Sequence, residues 1–241
     1  MIDKIAIILA AGQSTRMNTR LPKVLHEVCG RPMLEWVIDA CRNAGVQRHI
    51  VVVGYGKDQI IGRYRDVSDV EFVEQKEQRG TGHAVMCCRD KLQGFTGQTL
   101  VLCGDAPLIR TETLTVLLEK HRQEKAAVTL ATAVLPDPAG YGRIIRDSWG
   151  NIQGIVEHND CDEKQRAITE VNPGYFCFQT QYLLEVLDKI KPNNAKNEYY
   201  LTDALHILLA DGHKATAVTA VAAEDAMGVN NRQQLSVAGK I

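Results

Sequence analysis

The 241-residue sequence lacks the features that mark several large classes of protein. It holds 28 lysine and arginine residues against 29 aspartate and glutamate residues, so it has no basic excess of the kind that nucleic-acid-binding proteins carry. No run approaches the roughly 18 apolar residues of a membrane-spanning helix. The first residues, Met1-Ile2-Asp3-Lys4, pass directly into a predicted strand, so we expect no signal peptide. We therefore expect a cytoplasmic protein without nucleic-acid or membrane partners.

Two further absences narrow the chemistry. The seven cysteines are odd in number and form no C-x-x-C motif, which predicts reduced thiols in a cytoplasmic protein rather than a disulfide framework or a zinc site. The two common phosphate-binding motifs, G-x-x-x-x-G-K-[ST] and G-x-G-x-x-G, are also missing. Without the second motif, a nicotinamide-dependent dehydrogenase is disfavoured.

The first half of the chain alternates apolar, strand-like runs with helical patterns. Strands are predicted at 5–9, 49–53, 70–74, 99–103 and 127–135, and helices at 32–44, 58–64, 82–90 and 111–124. Strands separated by helices need crossover connections, which place them in parallel in one sheet. The sequence therefore predicts an α/β fold with a doubly wound, mostly parallel, Rossmann-like sheet.

The second half of the chain lacks the regular alternation of strands and helices. Runs at 141–146 and 152–157 flank a Trp-Gly-Asn turn and predict a hairpin. Further helices are predicted at 160–168, 181–189 and 200–211, and an extended run at 171–179. We expect a single domain over 1–241, in which residues up to about 135 bind a nucleotide and the remainder forms a small β-rich lobe.

One loop after the first predicted strand carries the strongest functional signal. Small residues in Leu9-Ala10-Ala11-Gly12 allow close approach of a ligand to backbone N–H groups. Arg16 supplies a planar fork of donors and Lys23 a compact point charge. The loop is predicted to hold a polyphosphate; the alternative is an ordinary tight connection with solvated cations.

Other candidates follow later strands, where ligands bind in open α/β sheets. Asp105 is a candidate Mg²⁺ ligand, or else a cap for the helix near Thr111 or part of a turn with Ala106-Pro107. Gln75, Gly80 and Thr81 could read a base edge, with Thr81 as an ordinary helix N-cap as the alternative. Four residues of the second half also stand out, each with a structural alternative. They are Gly142, Glu157, Asn172 and Asn230.

In order along nearly the whole chain, these clusters resemble the uridylyltransferase domain of the bacterial bifunctional N-acetylglucosamine-1-phosphate uridylyltransferases, within the sugar nucleotidyltransferase family. The resemblance rests on Leu9–Met17, Leu21–His26, Gln75 with Gly80–Ala84, Gly104–Ile109, Tyr141–Ile144, Gly154–His158, Asn172 with Gly174, Glu198–Asp203 and Gly228–Arg232. The first motif marks only the wider class, whereas the later ones are more specific.

The resemblance implies a role for each site residue. The residues that would bind the nucleotide are Leu9, Ala11, Gly12, Gln75, Gly80 and Thr81. The catalytic residues would be Arg16 and Lys23. The amino sugar would be bound by Gly142, Glu157 and Asn172, and Mg²⁺ by Asp105 and Asn230. The implied reaction is Mg²⁺-dependent transfer of a uridylyl group from UTP to N-acetylglucosamine 1-phosphate. The alternatives are another sugar or alditol phosphate as acceptor, or a non-catalytic sugar-nucleotide sensor.

The sequence also departs from the pattern of that family. Ser14 stands where glycine is usual, Cys103 where tyrosine is usual and Pro173 where threonine is usual. The last two lie near the expected sugar and metal sites, so they bear on the identity of the acceptor more than on the type of reaction. The acetyltransferase half of the bifunctional proteins has no counterpart here, and we expect no acetyltransferase activity.

Overall fold

The computed structural model describes residues 2–13 and 15–241, so the departure at Ser14 lies outside the described residues. The strands are β1 (Lys4–Ala10), β2 (Glu27–Val28), β3 (Arg31–Pro32), β4 (Arg48–Val53), β5 (Val70–Glu74), β6 (Gln98–Cys103), β7 (Val128–Val134), β8 (Gly142–Arg146), β9 (Ile152–Val156), β10 (Glu170–Gln179) and β11 (Ala215–Val221). The α-helices are α1 (Met33–Asn43), α2 (Lys57–Tyr64), α3 (Thr81–Met86), α4 (Arg89–Leu92), α5 (Thr111–Glu124), α6 (Glu163–Arg166), α7 (Thr180–Leu187), α8 (Asp203–Ala210) and α9 (Arg232–Ala238).

The central sheet confirms the predicted fold class. Its strand order is β11-β7-β10-β6-β1-β4-β5, and the hairpin of β8 and β9 joins through β10. Strands β5, β4, β1 and β6 are parallel to one another, and β7 and β11 form a second parallel pair. Strand β10 runs antiparallel between β6 and β7. Strands from both halves of the chain therefore share one sheet.

The side chains of β1 alternate between the two faces of the sheet, and both faces are covered by helices. Ala6, Ile8 and Ala10 pack into the core beneath α1, α2 and α5. Ile5 and Ile7 point to the other face, into the core formed with α3, α7 and α8. Both sets are buried because successive strand residues face opposite sides of a sheet. This two-sided burial is why the run reads as continuously apolar in the sequence.

Several predicted helices differ from those observed. The predicted helix at 82–90 is two short helices, α3 and α4, and the one at 200–211 begins only at Asp203. The predicted helix at 160–168 is reduced to α6, which Asp162 opens with a capping box to Gln165. Strand β11 and helix α9 were not predicted, because β11 is only partly buried and α9 spans seven residues with little apolar pattern.

The fold directs several loops to one edge of the sheet. Parallel strands β1, β4, β5 and β6 all end at this edge, which places the segments after Ala10, Glu74 and Cys103 side by side. The β8–β9 hairpin reaches the same region through β10. In the part of the chain that the structure covers, no helix combines the length and apolar character needed to cross a membrane.

Candidate active site

Three adjoining cavities lie at this edge of the sheet, and they are lined by all the predicted site residues. The first, about 260 Å³, is lined by the predicted nucleotide-binding residues with Lys23 and Asp105. The second, about 190 Å³, is lined by Gly142, Glu157 and Asn172. The third, about 420 Å³, is lined by Arg16, Asp105 and Asn230. Cys103 lines all three cavities, so they meet at the end of β6.

A cluster of charged and amide groups joins the first cavity to the third. Lys23 Nζ forms an ion pair with the Asp105 carboxylate and donates to Asn230 Oδ1 over 2.9 Å. Arg16 donates to the same Asn230 oxygen over 3.1 Å. The Lys23 and Asp105 side chains are each only 18% exposed, so this pair is held largely away from water. Two cations and two oxygen ligands are thus assembled from three distant segments.

The backbone holds Asp105 in this position. Gly104 donates its N–H to the carbonyl of Leu9 over 3.0 Å, and a Cβ on Gly104 would lie 3.1 Å from that oxygen. Val229 donates to the Asp105 carbonyl over 2.8 Å, which ties the segment before Asn230 to the same turn. The alternative role of Asp105 as a cap of α5 is wrong, because Arg110 is the N-cap and no side chain caps that helix.

The donor set fits a hard divalent cation. A carboxylate oxygen of Asp105 and the amide oxygen of Asn230 both face one point, which the Lys23 ammonium fills. Mg²⁺ in nucleotide sites typically takes one or two carboxylates, with water and phosphate oxygens completing its shell. Within 2–13 and 15–241 no group of three or more His, Cys, Asp or Glu residues could hold a metal by itself. A metal here therefore needs further ligands, from water or from a bound phosphate.

The loop of residues 78–82, here called the base loop, is bonded to a segment that the sequence interpretation gave no role. Tyr199 donates its N–H to the Arg79 carbonyl over 2.8 Å, and Gly82 donates to the Tyr199 carbonyl over 2.7 Å. Gly80 has φ +107°, and a Cβ there would lie 2.5 Å from the Tyr199 oxygen. Glycine is required at Gly80 by this contact and by its backbone conformation.

Thr81 is not the N-cap of α3, which corrects the structural alternative for this residue. It is the first residue of the helix, after Gly80, and its hydroxyl accepts from the Leu201 N–H over 3.0 Å. Together with the bonds of Tyr199, this contact joins residues 198–201, here called the backing segment, to the base loop along its length. Glu198 of this segment lines the first cavity.

The second cavity is shaped by a bulge in β10. The pairing of β10 with β7 shifts register between Val171 and Tyr175. Pro173 has no N–H for a sheet ladder, and Gly174 adopts φ +93°, so the chain leaves regular pairing here. The Asn172 oxygen accepts from the Gly174 N–H over 2.9 Å, which leaves the Asn172 amide nitrogen available towards the cavity.

Glu157 supplies the acidic group of the second cavity. Its Oε1 accepts from the hydroxyl of Thr202 over 3.0 Å. Burial raises the pKa of the Glu157 carboxyl above its ordinary value, although the Thr202 hydroxyl acts in the opposite direction. A Cβ on Gly142 would lie 3.5 Å from Glu157 Oε2 and 2.9 Å from Ile155. The glycine therefore keeps the space in front of the carboxylate open.

The sequence interpretation missed residues that act through the backbone or through one hydroxyl. Residues Glu198–Asp203 were among the stretches that carried the resemblance, but no role was assigned to them. Their contacts with Arg79, Gly82 and Thr81 are mostly main-chain, and backbone atoms leave no residue-type signal. Thr202 was equally unassigned, and only its contact with Glu157 reveals it.

The fold and the site together define a nucleotide-dependent transferase: a Rossmann-like sheet with a cationic loop, an acidic residue and a base-sized cavity at the carboxyl ends of its strands. Residues 6–170 match the family described as MobA-like NTP transferase domain, and the chain belongs to that family. It is a nucleotidyltransferase, and membership implies a divalent metal ion as cofactor.

Two named relatives and one solved structure extend the comparison. The chain is 47% identical over 241 residues to the bifunctional protein GlmU of Geobacillus sp. (strain WCH70) and 43% identical to that of Listeria monocytogenes serotype 4a (strain HCC23). Each alignment covers 100% of this chain but only 52% of the relative, so the chain spans about half the length of these proteins. A crystal structure of UDP-glucose pyrophosphorylase complexed with UDP-glucose aligns with a TM-score of 0.76 at 18% identity, covering 100% of this chain and 98% of the other. That similarity describes the fold.

Proposed function

We propose that this chain transfers a uridylyl group from UTP to N-acetylglucosamine 1-phosphate, giving UDP-N-acetylglucosamine and pyrophosphate. The observation that carries the proposal is the meeting of three cavities at Cys103, with Asp105 beside it. A nucleotide, a sugar phosphate and a departing pyrophosphate need three such compartments around one phosphorus atom. The 47% identity to a GlmU protein over the full length of the chain supports this choice of substrates.

In this proposal the nucleotide occupies the first cavity. Leu9, Ala11 and Gly12 would lie against the nucleoside. Apart from its chain neighbours, no atom of the described residues lies within 4 Å of a Cβ on Gly12, so the space beside it is open to a ligand. Gln75, with Gly80 and Thr81, would recognise the uracil edge. The amide of Gln75 can pair with both donors and acceptors, which suits a base edge.

The triphosphate would extend towards the third cavity. Arg16 and Lys23 would bind its oxygens and neutralise the charge that develops on pyrophosphate as it leaves. Asp105 and Asn230 would hold Mg²⁺, which when bound supplies further neutralisation of phosphate charge. Because the Lys23 ammonium fills the point between these two oxygens, it must turn towards the phosphates when the metal binds.

The amino sugar would occupy the second cavity, beside Gly142, Glu157 and Asn172. The Glu157 carboxylate would accept hydrogen bonds from sugar hydroxyl groups, and the amide of Asn172 would bind a carbonyl oxygen such as that of an N-acetyl group. Small-molecule substrates of this kind suit a protein of the cytoplasm, which is where we infer that it acts.

The chemistry needs positioned groups and charge neutralisation. A phosphate oxygen of the sugar phosphate forms a bond to the α-phosphorus of UTP. The bond from that phosphorus to the oxygen that joins it to the β-phosphorus breaks, and this oxygen leaves as part of pyrophosphate. The attacking oxygen is already anionic near neutral pH, so no general base is required. Catalysis is then alignment of two substrates and stabilisation of the transferring phosphoryl group.

A substrate panel tests the proposal. UTP, CTP, dTTP and ATP are each combined with several sugar and alditol phosphates and Mg²⁺, and pyrophosphate release is measured. We expect the highest turnover with UTP and N-acetylglucosamine 1-phosphate. Preference for another acceptor would replace the proposed sugar while keeping the reaction type. Binding of a sugar nucleotide without pyrophosphate release from any pair would instead favour a sensor.

A further inference from the structure

The Gln75 side chain is held in one orientation by its neighbours. It is only 4% exposed and lines the first cavity. Its Nε2 donates to the carbonyl of Gly80 over 3.1 Å. Because a carbonyl oxygen can only accept, rotating the amide by half a turn would bring two oxygens together at this distance. The amide nitrogen therefore faces the base loop.

His83 provides the second acceptor for the same nitrogen. Its Nδ1 lies 3.0 Å from Gln75 Nε2, which carries only hydrogens to donate. Nδ1 is therefore the acceptor in this contact, which assigns the ring's N–H to Nε2. The ring also packs against Tyr199, with their centroids 6.2 Å apart. The backing segment thus supports His83, and His83 in turn supports the amide.

Both hydrogens of the Gln75 amide are consumed by these contacts, so Oε1 is the atom left for a ligand. In the part of the chain that the structure covers, no group donates a hydrogen bond to Oε1. An acceptor here complements the N3–H group of uracil. In cytosine N3 is an unprotonated acceptor, and two acceptors would face each other without a hydrogen between them.

We propose that His83 is a positioning residue for base selection: by accepting from Gln75 Nε2 it keeps Oε1 directed at the base, so the site favours bases with an N–H at N3 over cytosine. This inference rests on the proposed placement of uracil against Gln75. His83 itself contacts neither substrate in this arrangement, so its effect on the reaction passes through the Gln75 amide.

Two substitutions separate the hydrogen bond of His83 from its packing. His83→Phe keeps a ring against Tyr199 but removes the acceptor. His83→Asn can place an amide oxygen near the position of Nδ1 and so retains an acceptor. His213→Ala is the control, since His213 packs at a tilt against Tyr182, which lines none of the three cavities. Thermal melting establishes that each variant is folded.

The readouts are kcat/KM for UTP and CTP with one acceptor, and calorimetric binding of each nucleotide without acceptor. We expect His83→Phe to lower the UTP-to-CTP ratio roughly three- to tenfold, the effect of one neutral hydrogen bond, while the KM of the acceptor stays unchanged. His83→Asn should recover most of the ratio, and His213→Ala should leave it at the wild-type value.

The inference is overturned if His83→Phe leaves the ratio unchanged, as it would by weakening both nucleotides equally, or if it lowers the ratio and His83→Asn does not recover it. Equal binding of UTP and CTP by the wild type would also overturn it. Preferred binding of UTP without turnover on any sugar phosphate would defeat the proposed reaction but leave this inference standing. The binding arm therefore distinguishes the two failures.

Discussion

The first and second cavities are built in different ways. The base loop at the first cavity is fixed by main-chain hydrogen bonds to the backing segment and by a glycine with positive φ. The second cavity depends on a strand bulge, an open glycine and a partly buried carboxylate whose Oε1 accepts a single hydrogen bond from Thr202. The first arrangement is rigid and relies little on side-chain identity, whereas the second relies on a few side chains.

This difference separates the type of reaction from the identity of the acceptor. Arg16, Lys23, Asp105 and the base loop suit nucleotide chemistry in general, and they lie within residues 6–170, which match the family. The departures Cys103 and Pro173 both line the second cavity. We therefore expect substitutions near the phosphates to abolish turnover, and substitutions in the second cavity to change which acceptor is used.

The largest effect is expected at the junction between the cavities. Asp105→Ala and Lys23→Ala should each lower kcat by about 10²–10³-fold, because each removes a charged group from the site of phosphoryl transfer. Pyrophosphate release measures turnover, and circular dichroism melting checks the fold. Asp90→Ala, at an exposed position of α4, is the control. Near-normal activity in either variant would contradict the assigned roles.

The same pair of residues gives opposite results for metal binding. Lys23→Met removes the ammonium that stands between the Asp105 and Asn230 oxygens, so Mn²⁺ should bind the nucleotide-free protein more tightly. Asp105→Ala removes a ligand and should weaken it. Titration followed by electron paramagnetic resonance measures both. If Lys23→Met bound Mn²⁺ less tightly than the wild type, the shared cation position would be wrong.

A second prediction tests the rigidity of the base loop. Gly80→Ala places a side chain at φ +107° with its Cβ 2.5 Å from the Tyr199 oxygen, so it should destabilise the fold by about 1–3 kcal/mol. The added methyl group of Gly12→Ala meets no atom of the described residues within 4 Å apart from its chain neighbours, so this variant should keep its stability while binding UTP more weakly. Urea unfolding and calorimetry with UTP measure the two effects. Equal stability of both variants would show that the base loop is not strained.

Sequence reasoning reached the α/β sheet because two-sided burial of β1 produces a continuous apolar run. It reached Lys23 because two cations follow a run of small residues in the loop after the first strand, and Asp105 because a carboxylate beside a glycine follows the end of another strand. It could not place Lys23 between Asp105 and Asn230, which lie 82 and 207 residues away along the chain. That contact depends on how the loop and the carboxyl-terminal segment close over one another, and no local pattern encodes it.

A third prediction concerns the second cavity. Burial raises the pKa of Glu157, so the carboxylate becomes protonated at a higher pH than an ordinary glutamate. Protonation removes an acceptor for sugar hydroxyls, so the KM of the sugar phosphate should rise as the pH falls through the raised pKa. Glu157→Gln should remove this dependence and raise that KM at neutral pH by roughly tenfold, with the KM of UTP unchanged. Steady-state kinetics across pH measure both.

The stability of Glu157→Gln provides an independent readout. Because the pKa of Glu157 is raised in the folded protein, folding loses stability as the pH increases from the ordinary carboxyl value through the raised one. The glutamine variant lacks this loss, so its melting temperature at neutral pH should be slightly higher than that of the wild type. A variant that is less stable at neutral pH and keeps the same acceptor profile would contradict both expectations.

The smallest effect on turnover is expected at Cys103, although it lines all three cavities. Burial raises the pKa of its thiol to about 12, so the thiol is protonated at neutral pH and is a poor nucleophile. A Cβ on Gly174 would lie 3.2 Å from the Cys103 sulfur, so the thiol packs against the bulge that forms the second cavity.

Cys103→Ala should therefore change kcat with UTP by less than about twofold, since no covalent step uses the sulfur. The relative kcat/KM values across the acceptor panel should shift, because the substitution enlarges the second cavity. A large loss of kcat with an unchanged acceptor profile would show that Cys103 affects the transfer reaction rather than the choice of acceptor. The division of roles between the first and second cavities would then not hold at Cys103, which lines both.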